Sequence, residues 1–200
     1  MLKLKGKKEQ IMIKIKDKKD SIIKMREMNL NTMPCEVFSH DDREGIEKFF
    51  ELNKGEEYIL RSTDKAQGEY FFVKNFEEAK EKLNRFDGLV TCAVSFRPYE
   101  EDVVLLGDVM VSRKGGSESV DLTATTKVGG SHRSIYENPE YNLHTSLESD
   151  SVWKIPGFSK LMRYISEHEL YDVIIEFAVY DVKVGVNKEN VLISELRTAY

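Results

Sequence analysis

Apolar and polar residues change their spacing along the chain, and the changes outline its elements. Residues 11 to 16, Ile-Met-Ile-Lys-Ile-Lys, alternate as a short strand would. Asp20 then precedes Ile22, Ile23, Met25, Met28 and Leu30, which predicts a helix with Asp20 as its N-cap. Asn29 to Pro34 ends it, because asparagine accepts the left-handed region and proline blocks continuation. Glu36 to Phe38 reads as extended, and Asp41 or Asp42 caps a second helix through Ile46, Phe49, Phe50 and Leu52. Tyr58 to Ser62 is a strand that runs into a polar loop, and Glu69 to Val73 is another strand. Asn75 caps a helix whose inner stripe is Phe76, Ala79, Leu83 and Phe86, and Asp87-Gly88 stops it. Strands over Leu89 to Phe96 and Val103 to Ser112 follow, then a turn at Lys114-Gly115-Gly116 and a partner strand over Ser119 to Thr125. From Thr126 to Ser151 the period is lost and a long loop is expected. Phe158 to Leu170 is helical, and two strands, Val173 to Val184 and Val191 to Arg197, are joined through Gly185 to Asn190. The pattern predicts an α+β fold with about three helices and seven or eight largely antiparallel strands.

Composition narrows what this fold can do. The 200 residues are 40% hydrophobic and 32% charged, which suits one globular domain and excludes disorder and low-complexity classes. No apolar run approaches the roughly 20 residues that cross a bilayer, and the lysine-rich start has no apolar signal core. The expectation is a cytoplasmic protein with no membrane partner. Residues 1 to 26 hold ten Lys or Arg against three acids, so the overall charge of -5 divides into +7 there and -12 over the rest. We therefore expect a basic segment over residues 1–17 and a single domain over residues 18–200. No aromatic side chain lies among those lysines, which argues against single-stranded nucleic acid. Cys35 and Cys92 stand 57 positions apart with no CxxC and no Cys/His cluster, so they read as free thiols.

Candidate chemistry concentrates in the last hairpin. Strand alternation places Glu195 and Arg197 on one face and Leu192 and Leu196 on the other. Glu176 lies in the partner strand among Ile174, Ile175, Phe177, Ala178 and Val179. A carboxylate so placed is paired, metal-bound or shifted in its titration, because burying it charged and alone is costly. Two acids and an arginine on one hairpin suit a magnesium-phosphate site; the alternative is a cross-strand Glu176–Arg197 ion pair. Arg61-Ser62-Thr63 adds an arginine and two hydroxyls at a strand end, also suited to phosphate. The glycine-rich turns at Gly115 and at Gly129-Gly130-Ser131 match neither phosphate-loop nor dinucleotide motifs. His132-Arg133 after two glycines reads as loop chemistry, with an anion-binding tip as the alternative; His40, His144 and His168 have no metal-ligand spacing, and Ser131 has no nucleophile-elbow context.

Several blocks resemble one family. Lys18-Lys19-Asp20-Ser21-Ile22-Ile23-Lys24-Met25, then Leu30, Met33-Pro34 and Val37-Phe38, is similar to the opening of the nucleotide-binding domain of pyruvate phosphate dikinase and phosphoenolpyruvate synthase. Arg61-Ser62-Thr63 resembles that family's Arg-Ser-Ser, and Glu176-Phe177 with Glu195-Leu196-Arg197 resembles its closing strands, in the same order. The resemblance implies a two-lobed ATP-grasp domain that clamps ATP and magnesium. It implies that Lys18 and Arg61 contact phosphates, that Glu176 and Glu195 hold the metal, and that Arg197 neutralises the transferring phosphoryl group. The acceptor would be a separate substrate or partner protein. The sequence departs from the family at three points. Lys16, Asp17 and Lys19 replace glycines around the family lysine, Ile174 replaces an acid, and Glu195 replaces a glutamine, as in ATP-grasp strands that end Glu-x-Asn. The family's phosphohistidine and pyruvate-binding domains are not in these 200 residues, so dikinase activity is not expected of this chain alone. The alternative reading is a degenerate module of the same fold that acts in protein interaction or regulation.

Overall fold

A computed structural model describes residues 13–63, 68–114, 116–126 and 138–199. Among them, two antiparallel sheets form. The smaller sheet holds β1 (Cys35–Ser39), β2 (Tyr58–Ser62), β3 (Tyr70–Val73) and β4 (Leu89–Val94) in the order β1-β4-β2-β3. Helices α2 (Arg43–Leu52) and α3 (Phe76–Leu83) cover one side of it. Their amphipathic spacing buries Ile46, Phe49, Ala79 and Leu83 against Leu60, Val90 and Cys92 of the strands. Asp42 and Asn75 are the caps, each side chain accepting an N–H from the first turn.

The larger sheet runs β7-β6-β5-β8-β9, with β5 (Val103–Lys114), β6 (Ser117–Thr125), β7 (Tyr141–Ser146), β8 (Val173–Val184) and β9 (Glu189–Thr198). Its inner residues Val109, Val111, Leu122, Ile175, Phe177 and Ile193 pack against α1 (Lys18–Glu27), the short α4 (Asp150–Trp153) and α5 (Phe158–Glu167). The opposite face carries Asp108 and Glu176 beside an apolar cluster of Ala178, Tyr180 and Leu192, and Glu195 there meets Arg61 of the smaller sheet. The small sheet is an insertion in the chain. It is entered after Pro34 and left at Val94, whose N–H donates to the Pro34 carbonyl at 2.9 Å, and a 3-10 turn at Arg97–Asp102 leads back. No helix among the described residues is long and apolar enough to cross a membrane.

A buried polar joint locks the last hairpin to the segment that enters the small sheet. Asn31 is fully buried; its Nδ2 donates to the carbonyls of Val184 and Val191 at 3.0 and 2.7 Å, and its Oδ1 accepts the Asn187 N–H at 2.9 Å. Its own N–H donates to the Tyr164 hydroxyl at 2.6 Å. Gly185 is required beside it: its φ is +75°, and a Cβ there would lie 2.4 Å from Asn31 Oδ1.

Four expectations change. The first helix starts at Lys18 with Asp17 as its cap, while Asp20 reaches back to accept the Lys16 N–H at 3.0 Å. Ile13 to Lys16 form no strand, because Ile15 spends its N–H and carbonyl on the Thr198 hydroxyl; Ile11 and Met12 lie outside the described residues. The span read as one loop from Thr126 to Ser151 contains β7 and the start of α4. That strand sits at the sheet edge with Asn142, His144 and Ser146 exposed, so its apolar alternation is thin; Gly129 to Arg133 lie outside the described residues. Finally, the described helices comprise α1 to α5 together with the 3-10 turn, rather than about three.

Candidate functional site

The last hairpin brings its acids together, but by a route the alternation does not show. Glu176 lies opposite Glu195, after which the register shifts so that Phe177 meets Ile193 and Ser194 becomes the extra residue. The bulge changes which side chains share a face. Leu192 lies beside Ala178 on the same side as Glu195 and Arg197, whereas Leu196 is in the helix-covered core. The expected pairing of Leu192 with Leu196 on one face is therefore corrected.

Across the next strand Glu176 lies opposite Asp108, and Asp108 opposite Thr123. Three carboxylates and a hydroxyl thus form a row over β9, β8, β5 and β6, at the ~4.8 Å spacing of paired strands. Asp108 is the member missed by sequence reasoning. It was visible only as an acid with apolar residues on both sides in Val103 to Ser112. It binds Arg197, with Arg197 Nη2 2.5 Å from Asp108 Oδ2 and the aspartate side chain 14% exposed. Arg197 lies opposite Ile174 in register and so belongs to the same face.

Arg61 comes from the other lobe. In β2, Tyr58 and Leu60 point into the core beneath α2 and α3, so Arg61 projects from the opposite side, toward the large sheet. Its Nη2 reaches 3.8 Å from Glu195 Oε2. Ser62 and Thr63, expected to be free for phosphate, are buried, and the Thr63 hydroxyl bonds that of Thr91 at 2.7 Å. Lys18 is the first residue of α1, and that helix is fixed beside β9 by the Leu196 N–H, which donates to Ser21 Oγ at 2.8 Å. One turn of helix therefore separates Lys18 from the contact next to Glu195.

These groups act on one carboxyl. Burial and the neighbouring Glu176 push the Glu195 carboxyl above the usual carboxylate range, against the opposing pull of Arg61, Lys18 and Arg197. All five residues singled out from the sequence, Lys18, Arg61, Glu176, Glu195 and Arg197, are thus brought into one electrostatic neighbourhood. Among the described residues no group of three or more His, Cys, Asp or Glu forms a metal cage. Cys35 is partly buried and Cys92 fully so, both as free thiols.

The architecture is shared with known enzymes. D-alanyl-alanine synthetase A from Vibrio cholerae superposes with a TM-score of 0.51 at 13% identity, covering 91% of this chain and 54% of that one. The ADP complex of an N5-carboxyaminoimidazole ribonucleotide synthetase gives a TM-score of 0.55 at 10% identity, covering 94% of this chain and 45% of that one. The fold is ATP-grasp. A third ATP-grasp match is an N5-carboxyaminoimidazole synthase from Aspergillus clavatus, in complex with ADP and an aminoimidazole ribonucleotide. It has a TM-score of 0.53 at 10% identity over 93% of this chain and 45% of that one. The chain spans about half the length of the structures it matches. No family model matches it, and no curated protein sequence does.

Proposed function

We propose that this protein binds ATP with magnesium where Arg61 of the smaller sheet meets Glu195 of the larger, and uses it to activate a carboxylate or to pass a phosphoryl group to a separate acceptor. The observation that carries the reading is the convergence of Lys18, Arg61, Glu176 and Arg197 on Glu195. The donor set suits the ion: magnesium takes one or two carboxylates and fills its remaining positions with water and phosphate oxygens, so a protein cage is not needed. Glu176 and Glu195 would hold it, and Lys18 and Arg61 would take the phosphate oxygens. When bound, the nucleotide would supply the electrophilic phosphorus and leave as the nucleoside diphosphate.

The chain's own residues supply charge and position. Glu176 and Glu195 are adjacent carboxylates, one of them largely buried, and a divalent ion between them would offset the part of their repulsion that the surrounding Arg61, Lys18 and Arg197 leave. Arg61 contacts Glu195 from the smaller sheet and would exchange that partner for a phosphate. Arg197, held by Asp108, presents a fixed guanidinium toward the charge that develops on a transferring phosphoryl group, and such positioning dominates catalysis of this step. The acceptor is a small molecule or a side chain of a partner protein.

Calorimetric titration with Mg-ATP tests the proposal. Saturable binding is expected, weakened when magnesium is chelated and when Glu195→Gln removes one metal ligand. A folded protein that takes up no nucleotide at millimolar concentration overturns it.

A further inference from the structure

A second cleft, of about 640 Å³, lies on the other face of the large sheet, between α5 and the β5–β6 hairpin. That volume is in the range of small-molecule sites. Its floor is built from Met162 and Tyr171, both buried. Trp153 lines it with a rigidly held ring. The indole N–H donates to the Leu147 carbonyl at 2.8 Å, and its ring meets Phe158 edge-on with centroids 5.4 Å apart, yet the residue remains 44% exposed. Arg113 is equally fixed, with its guanidinium 3.3 Å from the centre of the Tyr171 ring and its Nε 2.5 Å from Glu118.

The charges of the lining are unequal in their partners. Glu118 neutralises Arg113, while Arg163, on the exposed side of α5, has no ion-pair partner among the described residues. Ser159 and Ser166 flank Arg163 on the same side of that helix, at spacings of four and three residues. A flat indole face, a sulfur-containing apolar floor and one unpaired guanidinium fork together suit a planar ring bearing a single negative charge. A doubly charged phosphate suits it less, because Glu118 and Glu148 also line the cleft.

We propose that this cleft is a binding site for a small aromatic carboxylate, with the ring against Trp153 and Met162 and the acid on Arg163. The site lies on the far side of the sheet from the row of acids, and the inference does not rest on nucleotide binding. Trp153 is the chain's single tryptophan, so its fluorescence reports this site directly. The probe is 4-nitrobenzoate, a quencher, with 4-nitrobenzamide as its neutral counterpart. Saturable quenching at roughly millimolar concentration is expected, as for other ligands of this size. The amide should bind about tenfold more weakly, the loss expected for one charge-assisted contact. Arg163→Gln, an exposed change whose fold is checked by circular dichroism, should erase the preference for the acid, and excess Mg-ATP should leave the titration unchanged. Quenching that never saturates, equal binding of acid and amide, an undiminished preference in Arg163→Gln, or displacement by Mg-ATP each overturns the proposal.

Discussion

Replacing Asp108 by asparagine isolates the residue that orients Arg197. The change keeps the shape of the side chain and removes its charge, so what is lost is the charge-assisted part of a 2.5 Å contact. Hydrogen bonds to charged groups contribute about 1.5–3 kcal/mol. The Arg197 side chain is 40% exposed, however, and solvent takes up part of its charge, which brings the expected cost to about 1 kcal/mol. For a domain of this length that is a fall in melting temperature of about 2–4 °C, and the difference should shrink in molar salt. A released guanidinium samples more orientations and loses its fixed direction toward the cleft. Mg-ATP should therefore bind Asp108→Asn about five- to tenfold more weakly in calorimetric titration, although Asp108 is assigned no ligand of its own. A melting temperature within a degree of the parent, together with unchanged nucleotide affinity, would show that Asp108 neither anchors nor aims Arg197, and the reasoning would fail.

Two further outcomes follow from the same geometry. Because the Glu195 carboxyl titrates above its unfolded value, the folded state holds its proton more tightly, and the stability this group contributes is present below the unfolded carboxylate range and lost as pH rises through its folded value. Glu195→Gln should accordingly gain melting temperature relative to the parent as pH is raised from about 4 to 7; a gap that stays constant or narrows contradicts the assignment. Asn31→Ala leaves two buried carbonyls and one N–H without their partner, at about 1–3 kcal/mol each and less than additive, so urea unfolding should show a loss of about 3 kcal/mol or more. A loss below 1 kcal/mol would mean that water replaces the side chain.

What could be read from the sequence was what local physics decides. The caps at Asp42 and Asn75 and the stripes of α2 and α3 are signals within a few residues, and the fold bears them out. The Val173–Val184 hairpin was legible for the same reason. The bulge at Ser194 was not, since an extra residue in one strand shows only when the partner is known, and it reversed the expected side of Leu192. Asp108 escaped notice because its partner Arg197 lies 89 positions away, and nothing local separates such an acid from an exposed one. β7 was hidden because an edge strand with one wet face needs little apolar character.

The small sheet leaves and rejoins the body at neighbouring points, pinned by the bond from Val94 to Pro34. A segment tethered by both ends at one place would pivot there, like a door on a single jamb. The latch side of such a pivot would be the contact between Arg61 and Glu195, partly exposed and 3.8 Å long, which would part at little energetic cost.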